Sequence, residues 1–433
     1  MDTSSSVVTD TDELRDYELR NTLESRCPHL AAFDPAMADP YPMLREIRER
    51  APVFFIPEHD VWCVTRHQDL LEIYRDPISY SNIGAHDMRV PLPPAIVADV
   101  GPDYHFPFQG QLNTIDPPDH TRIRKLMQKA FTPRHISGRE GDIRALVNGL
   151  VDRFIDDGRV ELVSAYTSPI PVNVVAMIMG MTQEDARQFR GWVDAFFALS
   201  GSTNLPEEEA TRHWAGLIAF ERFTRAFIAE RRESPADDLT SALILATSDD
   251  GSPSLTDDEV LAQILGILAA GSDTTSILIA KTVHSLLAKP ERWEEVRSDA
   301  SLVPQAIEEG LRLRSPIRGL RRRTTTEVEL GGVKIPSGAK IYIHIASANR
   351  DQTVFTDAEE YELHRHNVAE HLGLGKWAHF CIGAVLARLE ARIALETLIE
   401  RIPQLRLTPG QDTLEFDYNL IVPALRKLDV EWR

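Results

Sequence analysis

The sequence predicts a mainly α-helical protein with a small β-sheet region, and three observations support this. Apolar residues recur at helical spacing through most of residues 143–400. Two short segments rich in β-branched and aromatic residues, 53–56 and 61–65, are joined by the turn-forming letters PEHD. Further strand-like segments lie at 332–345 and 428–432. With 433 residues, of which 43% are hydrophobic, the chain can bury a large core.

The helical pattern can be divided into separate elements. The periodicity predicts helices over 41–50, 142–157, 170–179, 183–199, 207–233, 236–248, 256–289 and 384–400. Asp116 and two prolines mark the start of another helix within 116–133. Residues 79–116 combine Pro and Gly with apolar side chains, which fits the wall or lid of a hydrophobic pocket. A disordered insert is the alternative for that segment.

Composition and charge exclude several classes of protein. The 47 basic and 66 acidic residues give a net charge of −19, and an acidic protein is a poor partner for nucleic acid. Three widely spaced cysteines suit a reducing compartment. Residues 1–29 begin without a basic and apolar leader, so we expect a disordered tail. The apolar stretch 260–287 is interrupted by GSDTTS, which argues against a membrane span. These features predict a cytoplasmic protein without a membrane anchor.

Cys381 lies between a glycine-containing loop, HLGLGKWAHFCIG at 371–383, and the predicted helix 384–400. The helix dipole and unpaired backbone N–H groups at such a position favour a thiolate, which can bind a metal or attack a substrate. No second Cys or His stands at a zinc-site spacing. A single thiolate suits haem iron. An ordinary buried cysteine is the alternative.

The 371–383 loop resembles the haem-binding loop of the cytochrome P450 superfamily in its soluble bacterial form. The positions that match are Gly375, His379, Cys381 and Gly383. Leu374 stands where the family usually has Phe, and Trp377 stands where it usually has Gly. A bulky residue tolerates positive φ poorly. The resemblance extends from about residue 30 to the last residue, so it implies the cytochrome P450 fold in one domain over 30–433, with Cys381 as the ligand of iron in haem b.

A second segment, DPPDHTRIR at 116–124, places His120 and Arg124 four residues apart on one helical face. Two cationic donors suit the propionates of haem, although this pair alone would more often be a surface feature. The segment resembles the family's corresponding motif, which assigns His120 and Arg124 to the propionates. The resemblance adds His379 and Arg322, the latter from a group of four arginines at 318–323.

The long predicted helix contains the unusual run AAGSDTTS at 269–276. Small residues permit a flat cofactor to approach, and Thr274 can bond to the carbonyl of Ala270 and open the helix locally. Asp273 beside this hydroxyl supplies a group that can hand on protons. A helix-packing Asp-Thr pair is the alternative. The run resembles the family's oxygen-site motif, which assigns Ala270, Gly271, Asp273 and Thr274 to that site.

Glu309 and Arg312 are three residues apart and can pair on one helical face. Such a pair is common by chance, but followed by Ser-Pro it matches the family's structural Glu-Arg pair. The resemblance adds Arg365 as the third member. These residues are expected to hold the fold together and to take no part in the chemistry.

The substrate pocket is the least specific prediction. Its candidate residues are Val90, Leu92, Ile96, Phe196, Phe197, Leu268, Ile317, Arg318, Ile421 and Val422. They indicate a small hydrophobic substrate, with Arg318 placed to meet a carboxylate or hydroxyl, or else belonging to a solvated charge run.

The thiolate side of the molecule carries basic residues that suit an acidic electron donor. The docking residues predicted for a ferredoxin are Lys125, Lys129, Lys376 and Arg388, with Arg122 and Arg392 nearby. No nicotinamide-binding glycine motif fits the chain, so a separate ferredoxin reductase would supply the electrons from NAD(P)H.

These inferences predict a monooxygenase that uses dioxygen as co-substrate, for hydroxylation and, as further reactions of the same class, epoxidation or O-dealkylation. A haem-binding sensor or carrier without turnover is the alternative. A peroxide-driven enzyme is disfavoured because the acid-alcohol pair is present.

Overall fold

The computed structural model describes residues 40–85, 90–107, 110–131, 133–201, 205–247, 255–411, 414–416, 421–423 and 425–433. The predicted tail at 1–29 lies outside these residues. The helices are α1 (Tyr41–Arg50), α2 (His67–Arg75), α3 (Pro94–Val100), α4 (Asp119–Ala130), α5 (Pro133–Gly138), α6 (Glu140–Val151), α7 (Pro169–Met179), α8 (Gln183–Gly201), α9 (Glu207–Glu233), α10 (Leu239–Ile244), α11 (Asp257–Leu287), α12 (Pro290–Ser298), α13 (Val303–Leu313), α14 (Ile345–Ala348) and α15 (Ala384–Arg401). The strands are β1 (Val53–Ile56), β2 (Val61–Val64), β3 (Tyr80–Ser81), β4 (Arg159–Glu161), β5 (Leu320–Thr324), β6 (Val328–Leu330), β7 (Val333–Ile335), β8 (Lys340–Ile343), β9 (Arg406–Leu407) and β10 (Asp429–Glu431).

The long helix α11 runs through the middle of the helical part of the fold. Its start is fixed by a capping box, in which the Thr256 hydroxyl accepts from the backbone N–H of Glu259 and the Glu259 carboxylate accepts from the N–H of Thr256. The helix packs against α7, α9, α13 and α15. Because it is surrounded by other helices, most of its side chains are buried.

Two hydrophobic cores lie along α11, one at each half. Residues such as Leu261 and Ile264 in its first half pack with α7 to α10, while Ile279 and Val283 in its second half pack with α6, α13 and α15. The polar run 270–276 lies between the two cores. The apolar halves therefore anchor the helix, and the middle is left for a site.

A five-stranded sheet, in the order β1-β2-β8-β5-β3, packs beside the helices. β2 and β8 are parallel, and β5 is antiparallel to both β8 and β3. Leu320 pairs with Ile343 and Arg322 with Ile341. Strand β5 follows α13 in the chain, so its pairing with β8 fixes where the segment after α13 lies. Two smaller sheets have the orders β4-β10-β9 and β6-β7.

The predicted mixture of helices and a small sheet region is confirmed, with differences at element ends. The helix predicted at 142–157 is α6 at 140–151, and its last residues form turns before Gly158, whose φ is +76°. The helix predicted at 236–248 is shortened to α10, because Asp238 caps its start by accepting from the N–H of Ser241 at 2.7 Å. The strand segment 332–345 divides into β7 and β8 around a turn at Gly338, with φ +79°.

α11 is also long and apolar enough to cross a membrane. However, 67% of its apolar window is buried inside the structure, and the helix carries the polar residues Ser272 and Asp273 within it. These properties are those of the central helix of a globular fold.

Candidate active site

A cavity of about 270 Å³ lies between the middle of α11 and the loop that carries Cys381. Its wall is mostly apolar, with polar side chains from several elements. From α11 the lining residues are Gln263, Gly266, Ile267, Ala270, Gly271, Thr274, Thr275 and Leu278. From the loop and the start of α15 they are Gly373, Leu374, Gly375, His379, Phe380, Cys381, Ile382, Gly383, Leu386, Ala387 and Glu390. The structure therefore brings together the two motifs that sequence analysis placed at the haem.

The backbone of the loop holds Cys381 three residues before α15. The N–H of Cys381 donates to the carbonyl of Leu374 at 2.8 Å, a bond that uses only the backbone at 374. Gly375 has φ +68°, and a Cβ there would lie 3.1 Å from the carbonyl oxygen of His379. A side chain at 375 would therefore disturb the loop that presents the sulfur.

The electrostatic environment of the Cys381 thiol contains opposing effects. Burial raises its pKa, while the N–H of Gly383 and the charges of Arg388 and Arg124 act to lower it, and burial prevails. The start of α15 and the two arginines therefore do not by themselves produce the thiolate expected from the sequence. Coordination to a metal cation would supply the missing stabilisation of the anion.

Trp377 adopts the conformation that a glycine would normally provide. Its φ is +49°, in the left-handed region, so the loop keeps this turn although the residue is bulky. The indole is 47% exposed, and the guanidinium carbon of Arg75 in α2 lies 4.9 Å from the centre of its ring. This cation–π contact helps to hold Trp377 at the surface.

Four predicted propionate partners, His120, Arg124, Arg322 and His379, gather at one end of the cavity. The rings of His120 and His379 lie 4.1 Å apart between centroids. His120 is 1% exposed, and within the part of the chain that the structure describes neither of its ring nitrogens has a hydrogen-bond partner. Buried polar atoms are normally paired. A carboxylate at this end would supply the acceptor that the His120 ring lacks.

Both arginines of this group line the cavity. Arg322 lies in β5, is 4% exposed and lines the cavity. Arg124 also lines the cavity, and its Nη2 donates to the carbonyl of Phe380 at 2.7 Å, which ties α4 to the loop. Burial, with the nearby charge of Arg124, lowers the pKa of His120 to about 4. The residues present therefore fit a haem with its propionates between α4 and β5.

Sequence analysis missed Asn82, which belongs to the same end. Its side-chain amide nitrogen lies 2.9 Å from Nε2 of His379, and the Asp116 carboxylate accepts from its backbone N–H at 2.9 Å. Asp116 also accepts from the hydroxyl of Ser81. This network orients the ring of His379. Its sequence signal is weak, because Asn82 lies in an irregular segment far from the other motifs.

In the middle of α11 the hydroxyl bond predicted from the sequence is present, while the helix itself continues unbroken from Asp257 to Leu287. The Thr274 hydroxyl donates to the carbonyl of Ala270 at 2.5 Å, and Thr274 lines the cavity. Gly271 also lines the cavity, but a Cβ there would come within 2.9 Å of Val175 in α7. Close packing of α7 is therefore a second reason for a glycine at 271.

Asp273 points away from the cavity, because adjacent helical residues face different directions. Its Oδ1 lies 3.3 Å from Nη1 of Arg190 in α8, and Arg190 also pairs with Asp194 and donates to Ser168. Burial raises the pKa of Asp273, while the charge of Arg190 opposes the shift. The two members of the predicted acid-alcohol pair therefore face different surroundings: Thr274 lines the cavity, and Asp273 contacts α8.

Of the predicted substrate residues, Ile317 lines the cavity. Val90, Ile96, Phe196 and Leu268 instead lie in the hydrophobic core around the first half of α11, with Leu92 and Phe197 packed against it. The cavity lining also leaves out Arg318, Ile421 and Val422. The residues missed were those on α11 itself, which the spacing of three and four residues from Thr274 could have identified.

The predicted structural cluster is present. The Arg312 guanidinium donates to both carboxylate oxygens of Glu309, at 2.7 Å each, and Arg365 Nε donates to the same carboxylate at 3.1 Å. The three side chains are between 0% and 2% exposed. The charges are therefore buried together, away from the cavity wall.

Comparison with known proteins agrees with this arrangement. The cytochrome P450 family model matches residues 104–426. The chain belongs to the cytochrome P450 family. Cytochrome P450 107B1 of Saccharopolyspora erythraea is 34% identical over 93% of this chain and 98% of its own length. Erythromycin C-12 hydroxylase of the same organism is 33% identical over 92% of this chain and 96% of its own length.

A solved structure, cytochrome P450 CREJ in complex with (4-ethylphenyl) dihydrogen phosphate, superposes with a TM-score of 0.86. It is 30% identical and covers 93% of this chain and 100% of that chain. The protein is therefore a cytochrome P450 monooxygenase with haem b as cofactor and dioxygen as co-substrate.

Proposed function

We propose that this cytochrome P450 inserts one oxygen atom into a small, largely hydrophobic organic substrate, with hydroxylation as its main reaction. Epoxidation and O-dealkylation are further outcomes of the same chemistry. The observation that carries the proposal is the cavity itself, which is lined both by Cys381 and by Thr274, whose hydroxyl bonds to the carbonyl of Ala270. The bound ligand of the solved relative, an aryl phosphate, supports a compact substrate.

In this proposal Cys381 ligates the iron, and the group at the polar end holds the propionates. The propionate partners are His120, Arg124, Arg322 and His379. Haem would supply the activation of dioxygen. The backbone around Ala270 and Gly271 leaves room for it, and Gly375 and Gly383 shape the loop on the sulfur side.

Thr274 and Asp273 are proposed to manage protons from opposite sides of α11. The Thr274 hydroxyl donates its proton to the carbonyl of Ala270. The lone pairs of the Thr274 oxygen can therefore accept a hydrogen bond from a donor in the cavity. Asp273 contacts the half-exposed Arg190, so it connects the helix with solvent. A carrier or sensor would not require such an arrangement.

The test of turnover is Thr274→Ala, with Ser276→Ala as the control. Ser276 is a buried hydroxyl on the same helix that bonds to Thr167 at 3.2 Å and lies outside the cavity lining. With a surrogate ferredoxin and reductase, Thr274→Ala should divert NADH electrons from oxygenated product to hydrogen peroxide, lowering product yield about tenfold or more. Ser276→Ala should not. A wild-type protein that takes up haem but yields no oxygenated product would favour the sensor or carrier.

We propose that the electron donor is a ferredoxin, served by a reductase, which docks on the surface around the Cys381 loop. Three of the exposed large hydrophobic residues, Trp377, Phe380 and Val385, lie on this surface. Lys125 and Lys129 on α4 are exposed, and no acidic side chain among the described residues pairs with them. An apolar centre with cations at its edge is a common form of interface.

Two other predicted docking residues, Arg388 and Lys376, are already bonded within the protein. Arg388 is engaged by Glu308, with N–O distances of 2.6 Å and 2.8 Å, and Lys376 donates to the carbonyl of Ala369. Arg75, which sequence analysis missed, adds a cation beside Trp377. We therefore propose Lys125, Lys129 and Arg75 as the main steering charges, with the protein in the cytoplasm and residues 30–433 acting as one domain.

A further inference from the structure

The first turns of α15 carry a guanidinium, that of Arg388, close behind the loop that presents Cys381. Arg388 lies in the second turn of the helix, where its neighbour Ala387 lines the cavity and Arg388 does not. Its Nε and Nη2 donate to the two carboxylate oxygens of Glu308 in α13, at 2.6 Å and 2.8 Å. A bidentate pair of this kind fixes the direction of a guanidinium as well as its position. A cation in a fixed position therefore lies beside the proposed haem site but outside its wall.

The Glu308 carboxylate is held from the other end of the same loop. Nε2 of His371 lies 3.1 Å from Oε2 of Glu308, and Nδ1 of His371 accepts from the backbone N–H of Gly373 at 3.1 Å. Burial lowers the pKa of His371, so the ring is neutral at pH 7 and donates its Nε2 proton to Glu308. His371 begins the loop that leads to Cys381, and Arg388 follows that loop. The pair of Glu308 and Arg388 is thus tied to both ends of the cysteine loop.

This ion pair is oriented with its positive member towards the sulfur. Burial raises the pKa of Cys381, and the charges that oppose this shift are those of Arg388 and Arg124, with no contribution from Glu308. The sulfur in turn is one of the groups that act on Arg388. Arg124 lines the cavity and belongs to the proposed propionate group. Arg388 is not part of that group, so its charge acts on the site through the sulfur.

A cation in this position affects the reduction of a thiolate-bound iron. Reduction adds one electron to a centre that already carries the negative charge of the sulfur, and a nearby cation stabilises the more negative state. Charge and hydrogen bonding around the ligand are the means by which a protein sets such a potential. The Arg388 side chain is 36% exposed, so solvent weakens this effect without removing it.

We propose that Arg388 is a positioning residue that raises the reduction potential of the haem iron through the Cys381 sulfur, and that Glu308 and His371 hold it in place. This inference rests on the proposed ligation of iron by Cys381. A higher potential favours the transfer of an electron from the ferredoxin, because the free energy of the transfer follows the difference between the two potentials.

The test is a redox titration of the haem-loaded protein, followed by its absorption spectrum and carried out without ferredoxin, so that docking plays no part. Arg388→Gln should shift the equilibrium towards the oxidised state by about tenfold, which corresponds to a potential lower by about 59 mV for one electron. Arg388→Lys keeps the charge, so its shift should be less than about threefold.

Arg392→Gln is the matched control. Arg392 lies one turn farther along α15, is 30% exposed and pairs with Glu140 and Glu396 at 2.9 Å and 3.1 Å, but its charge does not act on Cys381. Loss of this charge should leave the equilibrium within about twofold of the wild type. Urea unfolding is a second readout, in which Arg388→Gln and Arg388→Lys should both be less stable because both lose the bidentate pair. The potential should separate these two variants, which a structural role alone would not do.

An equilibrium in Arg388→Gln that stays within about twofold of the wild type would overturn the proposal. Equal shifts in Arg388→Gln and Arg388→Lys would also overturn it, because the effect would then follow the lost bidentate pair and not the charge. An equal shift in Arg392→Gln would assign the effect to the overall charge of the protein, with the same consequence. Failure of the proposed function would look different, because the reduced, carbon monoxide-treated wild type would then lack the band of thiolate-ligated haem.

Discussion

At the scale of single residues, Trp377 shows how the loop departs from its family without losing its shape. Positive φ costs a non-glycine residue about 1 kcal/mol or more, and the exposed indole recovers part of this through Arg75. A residue kept in a strained conformation at a functional surface suggests a use for its side chain. Its place at the proposed docking surface supplies one.

Trp377→Gly separates strain from docking. Glycine relieves the strain but adds freedom to the unfolded chain, so the free energy of unfolding should change by less than about 1 kcal/mol. Reduction of the haem by ferredoxin should become about tenfold slower, because an aromatic anchor is lost from the interface. Reduction by dithionite, which needs no docking, is the control and should be unaffected. Unchanged ferredoxin kinetics would remove Trp377 from the interface.

At the scale of elements, the Glu309 cluster joins α13 to the loop that follows α14. Arg312 donates to the carbonyls of Asn349, Ala358 and Glu360, besides its pairing with Glu309. Arg365 reaches the same carboxylate from the far end of the loop. Two buried guanidinium groups therefore share one buried carboxylate, and Arg365 also pairs with Glu362, so the cluster fixes the loop that leads to Cys381.

Glu309→Gln should destabilise the protein by about 3–5 kcal/mol, because two buried guanidinium groups lose the buried carboxylate that they share. The measurement is denaturant unfolding of the haem-loaded protein. Glu329→Gln, on the exposed position of β6, is a control that should change little. A loss below about 1 kcal/mol for Glu309→Gln would show that the carbonyl bonds alone hold the arginines.

A second link between elements is the pair of Glu308 on α13 and Arg388 on α15. Burial acts to raise the pKa of Glu308, but bonds from Arg388 and His371 outweigh it and lower this pKa to about 2. A depressed carboxyl pKa stabilises the fold above the unfolded value near 4.5, and this contribution is lost as the pH falls through about 2.

Arg388→Gln should therefore lower the free energy of unfolding at neutral pH by roughly 1–2 kcal/mol, a figure reduced because Arg388 is partly exposed. The difference from wild type should shrink as the pH falls from about 5 towards 2. Urea unfolding of both proteins across this range is the measurement. A difference that stays constant with pH would assign the loss to packing of the Arg388 side chain.

At the scale of the whole molecule, the fold class and the haem motifs could be predicted from the sequence because each is local. Cys381, Thr274 and Glu309 stand in short patterns with fixed spacing. The contact of Thr274 with Ala270 follows from helical geometry alone. Such features need no knowledge of which elements pack together.

Features that depend on tertiary packing could not be predicted in this way. Asn82 meets His379 from 297 residues away, and Arg190 meets Asp273 from another helix. Val90 and Leu268 are apolar and buried, but packing places them in a core and leaves them out of the cavity lining. Hydrophobicity indicates burial, and the topology decides which buried residues reach the site.

The account depends most on one bond, between the sulfur of Cys381 and the iron of haem b. The direct measurement is the absorption spectrum of the reduced, carbon monoxide-treated protein, compared between wild type and Cys381→Ser. We expect the band characteristic of thiolate-ligated haem in the wild type and its loss in the variant. The same band in both proteins, or no such band in haem-loaded wild type, would contradict the account.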